Sequence, residues 1–247
     1  MRIPRFHAAI PPGEELLLEG EEHTHLSRVL RLRAGAAVEV FDGAGGAARG
    51  ELLEVGRRES RVRLDARRVA PAPEWRVGVA VAWPKPKRGQ RLVEVLTELG
   101  VDALAPLECE RGVNAAPSPD KLERWALEAC KQCRRDRLPR FAPPWALGAL
   151  GERLGGAPAL FCDTAAAPPP REALPPAPVP ELWLVVGPEG GFTPREREAL
   201  KAVASPVSLG PLILRIETAA AAAVAAVQAL WPARAGGEPW PEGPEES

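Results

Sequence analysis

Residues 181–200, ELWLVVGPEGGFTPREREAL, change rhythm twice. As far as Val186 they form an apolar run of strand length, rich in residues that suit a pleated surface. From Thr193 they read as a helix. Thr193 stands at the N-cap, Pro194 takes the first helical position, and Glu196 completes a T-x-x-E capping box. Between strand and helix lies Gly187-Pro188-Glu189-Gly190-Gly191-Phe192. A strand that passes through a short loop into a helix is the building unit of an α/β fold, and ligands of such folds gather at the carboxyl ends of the strands. Glycines let backbone groups approach a ligand closely, although a glycine turn before a helix is often only a turn. G-x-G-x-x-G is absent and no G-K-[ST] follows, so the loop is neither a dinucleotide fingerprint nor a Walker loop.

A second strand-to-helix junction lies just downstream. PVSLG (206–210) reads as a short strand and residues 217–231, ETAAAAAVAAVQALW, as an alanine-rich helix. The joining loop, Leu209-Gly210-Pro211-Leu212-Ile213-Leu214-Arg215-Ile216-Glu217, is mostly apolar with one Arg and one Glu near the helix start. A helix N-terminus favours an anion such as Glu217. An apolar loop with free backbone groups suits a flat aromatic ring, and equally a buried connection.

The same alternation extends towards the N-terminus. RVGVAVAW (76–83), VDALAPLE (101–108) and APALFCD (157–163) read as strands. RLVEVLTELG (91–100), residues 119–134 with Ser118 as N-cap, and residues 193–204 read as helices. Residues 165–180 are proline-rich and read as a loop. Strands alternating with helices predict a mostly parallel sheet covered on both faces. Residues 1–70 differ. LLLEG (16–20), AVEVF (37–41), GELLEV (50–55) and RVRLDARRV (61–69) read as strands, with Asp42-Gly43 as a tight turn and one helix over residues 21–32 whose apolar side is Leu26, Val29 and Leu30. That pattern predicts a small β-barrel. Pro71 and Pro73 mark the boundary, so domains are expected over 1–70 and 74–232, with an acidic tail over 233–247.

Bulk properties bound the function. No uncharged apolar run is long enough to span a membrane, and MRIPRFHAAI lacks the apolar stretch of a secretory signal, so a cytoplasmic protein is expected. The net charge of −1 excludes a general polycation, yet residues 85–140 carry 12 basic against 9 acidic side chains. Arg134, Arg135 and Arg137 crown that excess, and Arg28, Arg31 and Arg33 form a second group. Clustered arginines can contact phosphates, or simply form a solvated helix end. Cys130 and Cys133 form a C-x-x-C within a helical pattern, with no second pair at metal-ligand spacing, and read as reduced helix cysteines rather than a zinc or redox site. His7, His23 and His25 are too few and too scattered for a metal site.

GPEGGFTPRE (187–196) and LGPLILRIETA (209–219), in that order, resemble the ribosomal RNA small subunit methyltransferase E family of the SPOUT class. HLSRVLRLRAGAAVEVFDGAGG (25–46) resembles its PUA-like RNA-binding barrel. RLVEVLTELGVDALAPLECER (91–111) and KLERWALEACKQCRRDRLP (121–139) resemble its first helix–strand unit and its basic helix. The chain departs from the family's usual pattern at Leu212, Ile216 and Val95, where Arg, Thr and Lys are common. The resemblance implies an enzyme that uses S-adenosylmethionine to methylate N3 of one uridine in 16S ribosomal RNA, on the free RNA or the small subunit, as a homodimer without a metal. It implies a trefoil knot in the second domain. Cofactor contacts carry over to Leu184, Gly187, Pro188, Glu189, Gly190, Gly191, Leu209, Gly210, Ile213 and Leu214. Glu189 and Glu217 are candidate proton acceptors, and Arg215 is a candidate for stabilising the developing base anion. The alternatives are a SPOUT enzyme acting on another RNA and a non-catalytic RNA-binding module.

Overall fold

A computed structural model describes residues 3–163 and 167–232. The expected tail over 233–247 lies outside the described residues. Contacts divide the chain into two units at Ala72/Pro73. The first unit also takes Cys130–Arg137, which the sequence reading had assigned to the second domain.

The first unit contains β1 (Arg5–His7), β2 (Glu15–Glu19), α1 (Gly20–Thr24), a π-helical turn (His25–Val29), β3 (Ala37–Phe41), β4 (Gly46–Val55) and β5 (Glu59–Val69). The strands form one sheet in the order β1-β3-β4-β5-β2, antiparallel except where β1 pairs with β3. Register shifts at Arg49/Gly50 and Leu52/Glu54 bend the long β4–β5 ladder, as bulges do. The curled sheet encloses Phe6, Leu18, Val38, Val40, Leu52 and Val62, and Leu26 of the π-helical turn closes that core. His23 is buried, and its Nδ1 lies 2.8 Å from Ser60 Oγ, which fixes α1 on the sheet. The Asp42-Gly43 turn is present: Asp42 Oδ1 accepts from the backbone N–H of Ala44 at 2.7 Å and of Gly46 at 2.9 Å.

The helix expected over residues 21–32 ends early. Leu30 N donates to His25 O at 2.9 Å, a π-helical bond, and Arg31 takes the left-handed φ of 52°. The widened turn changes the 3.6 period, so only Leu26 of the expected apolar face is buried.

The second unit contains β6 (Arg76–Ala82), α2 (Pro86–Glu98), β7 (Ala103–Glu108), α3 (Pro119–Cys133, of which residues 130–133 count with the first unit), β8 (Arg140–Phe141), β9 (Trp145–Ala146), α4 (Leu150–Leu154), β10 (Ala159–Cys162), α5 (Pro170–Ala173), β11 (Glu181–Val186), α6 (Pro194–Lys201), β12 (Ser205–Val207) and α7 (Ile216–Leu230). The strand order is β12-β10-β11-β6-β7-β8, with β9 also on β7, and every pairing is parallel. Side chains alternate between two cores. Val77, Val79, Val81, Leu182, Leu184 and Val186 join the core that holds residues of α2 and α7. Ala80, Trp183 and Val185 join the other, which holds Leu150, Leu154 and Leu200. This two-sided burial explains why β6 after Arg76 and β11 after Glu181 are apolar at successive positions rather than at alternate ones. Among the described residues no helix is long and apolar enough to cross a membrane.

Candidate functional site

β10 and β11 end side by side, since Phe161 pairs with Val185, and β11 stays in step with β6 through Val186 and Val81. The chain leaves β11 through Gly187, where a Cβ would sit 2.8 Å from the Phe192 ring. Only glycine allows Phe192 to fold back there. Gly191 has φ of 67°, a left-handed conformation that costs side-chain-bearing residues about 1–2 kcal/mol. Its N–H donates to Pro188 O at 2.8 Å and closes the loop. The capping box of α6 is formed: Glu196 N donates to Thr193 Oγ1 at 3.2 Å, and Thr193 N to Glu196 Oε2 at 2.8 Å. The other Glu196 oxygen accepts from Glu110 N at 2.7 Å. Arg111 Nη1 donates to Gly190 O at 2.7 Å. The loop after β7 therefore braces both the loop after β11, at Gly190, and the first turn of α6, at Glu196.

The two loops, separated in sequence, share one cavity of about 200 Å³. Of the ten residues implied for the cofactor, Gly187, Pro188, Glu189, Gly190, Gly191, Leu209, Gly210, Ile213 and Leu214 line it. Leu184 does not, because it points into the core of α2 and α7 from mid-strand. Cys162, Asp163 and Arg197 also line the cavity, and Arg197 is ion-paired with Asp163 at 3.2 Å. The Cys162 thiol is pushed up to about 12 by burial and then by Asp163, so it is not a thiolate nucleophile at neutral pH.

Glu189 is exposed, whereas the Glu217 side chain is mostly buried in the first turn of α7. Arg88 of α2 pairs with both, its Nη1 at 3.4 Å from Glu189 and its Nε at 3.7 Å from Glu217. Glu217 Oε2 is buried and has no hydrogen-bond partner among the described residues. Arg215 is exposed at the N-cap of α7. The sequence reading missed Arg88. Its signal was position: Trp83-Pro84-Lys85-Pro86 carries the chain from β6 straight into a helix, beside the end of β11.

The two arginine groups have different environments. Arg28, Arg31 and Arg33 are exposed and form no ion pair among the described residues. Arg134 is paired with Glu39 at 3.0 Å, and it donates to Ile3 O at 3.1 Å. Arg137 donates to Ala44 O and, at 2.6 Å, to Ala70 O. Arg135 is half-buried. Around Arg134, Glu39 is wholly buried and pairs with Arg5 at 3.1 Å. Asp136 pairs with Arg5 and, at 2.9 Å, with Arg68. Cys130 is buried beside this cluster with its thiol pushed up to about 12 by desolvation, and all four cysteines are free. Among the described residues no group of His, Cys, Asp and Glu is arranged to hold a metal.

Comparison with known proteins places both units. Residues 71–228 match the RNA methyltransferase domain family, and residues 18–65 match the RNA methyltransferase PUA domain family. The chain is 37% identical over 216 residues to ribosomal RNA small subunit methyltransferase E of Synechocystis, covering 83% of this chain and 70% of that protein. It is 34% identical to the Mycobacterium bovis protein of the same name, covering 88% and 87%. Among solved structures it resembles ribosomal RNA small subunit methyltransferase E of Neisseria gonorrhoeae bound to S-adenosyl methionine. The TM-score is 0.84 at 28% identity, covering 93% of this chain and 98% of the other. This chain, a PUA domain followed by a parallel-sheet RNA methyltransferase domain, belongs to the ribosomal RNA small subunit methyltransferase E family.

Proposed function

We propose that the cavity between residues 187–192 and 209–214 binds S-adenosylmethionine, and that the chain methylates N3 of a uridine in 16S ribosomal RNA. One observation carries this: two distant loops converge on one cavity at the carboxyl ends of β10 and β11. The lining fits a nucleoside better than a phosphate. Apolar side chains and backbone groups dominate it, and its one arginine, Arg197, is already paired with Asp163. Leu209, Leu214 and Pro188 offer surface to a flat base, and the glycines leave backbone groups accessible. When bound, S-adenosylmethionine supplies an electrophilic methyl group on a sulfonium, so the chain's own task is to position the base and manage its proton.

Uracil N3 carries a weakly acidic proton. Glu217 is better placed than Glu189 to accept it, because Glu217 Oε2 is buried and lacks a partner while Glu189 is exposed. Arg88 holds Glu217 by its other oxygen, Oε1, which leaves Oε2 for the substrate. Arg215, exposed at the start of α7, stabilises negative charge developing on O2 or O4 of the base. The same reading includes a trefoil knot through the second unit, a cytoplasmic homodimer, and phosphate contacts from Arg28, Arg31 and Arg33.

The test is incubation of the full chain with labelled S-adenosylmethionine and small subunits lacking the modification, followed by nucleoside mass spectrometry. 3-Methyluridine is the expected product. A methyl group on ribose, or on transfer RNA alone, defeats this reading. Arg215→Ala should lower turnover about 100-fold or more, as loss of a charge-stabilising donor does, with cofactor affinity by calorimetry nearly unchanged.

A further inference from the structure

The tip of the π-helical turn in the first unit carries two large apolar side chains that the RNA-phosphate role of its arginines does not use. Val29 is 65% exposed and Leu30 is 40% exposed. Arg28 precedes them and Arg31 and Arg33 follow, all exposed and without an ion pair among the described residues. Single exposed apolar residues are common and need no explanation. Here two are adjacent, and the backbone is distorted to put them outside.

The distortion has two parts. Leu30 N reaches back five residues to His25 O at 2.9 Å, and Leu32 N reaches back six to Leu26 O at 3.1 Å. A regular α-helix would have kept Val29 and Leu30 beside Leu26 on the core side. The chain then reverses at Arg31 with φ of 52°, a position where glycine is unstrained and arginine is not. π-Turns and left-handed non-glycine residues concentrate at functional sites. The base of this tip is rigid: Leu26 is fully buried, and His23 is held 2.8 Å from Ser60. A rigid support with a positive rim and an apolar point matches a nucleic-acid strand, whose phosphates are anionic and whose base faces are apolar.

We propose that Val29 and Leu30 form a wedge that enters between unpaired bases of the RNA, while Arg28, Arg31 and Arg33 grip the flanking phosphates. Apolar side chains inserted between base steps unstack them, and chemistry on a base requires that base to leave its stack. The occupant is single-stranded RNA. Duplex RNA is excluded because its bases are stacked on both faces, and its A-form major groove is too deep and narrow for side chains to read. This inference rests on the RNA-binding part of the proposed function.

The test uses the full chain and a short RNA hairpin with 2-aminopurine in its loop, whose fluorescence rises on unstacking. Wild type should bind with salt-dependent affinity and raise the fluorescence. The double variant Val29→Ser, Leu30→Ser should fold normally, keep the same salt slope, bind roughly tenfold more weakly, and leave the fluorescence unchanged. Equal affinity and equal fluorescence rise in wild type and variant would overturn the wedge while leaving the RNA-binding reading intact. No binding by wild type would overturn both. Sedimentation supplies a second readout. If the variant loses self-association but not RNA affinity, the tip is a contact between copies, and the wedge is wrong.

Discussion

The arginines of residues 28–33 face water, whereas those of residues 131–137 face other protein groups. Both groups belong to the first unit, and both sit where a helix ends. What separates them is the partner each meets. Arg134 and Arg137 lie among protein acceptors: the buried Glu39 carboxylate, and the carbonyls of Ile3, Ala44 and Ala70. Asp136, between them in sequence, is tied to Arg5 and Arg68. The later stretch is fastened within the first unit, and the earlier one stays in solvent. A run of positive charge thus has two possible uses, and only the local supply of acceptors decides between them.

The largest effect should come from breaking the fastening. Arg5→Ala leaves Glu39 and Asp136 buried beside a hole where their shared cation stood. Removing one member of a buried ion pair costs about 3–5 kcal/mol. Amide hydrogen exchange across β3–β5 should accelerate accordingly, while Arg28→Ala should leave it unchanged. If Arg5→Ala is silent, the cluster does not stabilise the fold and the contrast between the two stretches loses its meaning.

The middle effects concern RNA. The triple variant Arg28→Gln, Arg31→Gln, Arg33→Gln should reduce the slope of log affinity against log salt by about 0.7 for each phosphate contact on single-stranded RNA, hence by about two in all. Its melting temperature should match wild type. Arg134→Gln should do the reverse, lowering stability by about 1 kcal/mol through loss of one of the two donors on Glu39 Oε2, with Arg49 Nε remaining at 3.3 Å, and leaving the salt slope in place. A drop in slope for Arg134→Gln equal to that of an early-stretch arginine would erase the distinction.

The site and the clusters were not equally legible in the sequence. β3 and β11 stood out because turn residues and apolar runs bracket them, and the α6 capping box is a local pattern needing no tertiary knowledge. Nine of the ten residues that the resemblance implies for a cofactor line the cavity, because loop contacts follow from chain order along a parallel sheet. Leu184 lies outside the cavity lining for a local reason: on a strand, a change of one residue switches faces, and its face is core. β1, β8, β9, α4 and α5 are two to five residues long, too short for any period to register. Arg88, Asp163 and Arg197 matter through partners distant in the chain, as do the buried pairs of Arg5. The helix expected over 21–32 gives way to a π-turn, which inserts a residue that the 3.6 period cannot anticipate.

The smallest effect asks whether the fastened stretch is held by its charges or merely accommodates them. Burial, the largest influence on Asp136, pushes its carboxyl above the ordinary 3.8, against the downward pull of Arg5 and Arg68. A carboxyl with a raised folded-state pKa binds its proton more readily in the native state. Its contribution to stability is whole below the unfolded value and declines as pH rises through the folded one. Asp136→Asn cannot titrate. Its stability deficit relative to wild type should therefore be greatest in the most acidic buffer in which both fold, and should shrink as pH climbs past 3.8 towards neutrality. Urea unfolding of both proteins across that range measures it. A deficit that grows with pH means that the guanidiniums of Arg5 and Arg68 outweigh desolvation. The ionised cluster would then be a net source of stability, and the two arginine stretches would differ only in whether their anion belongs to the protein or to the RNA.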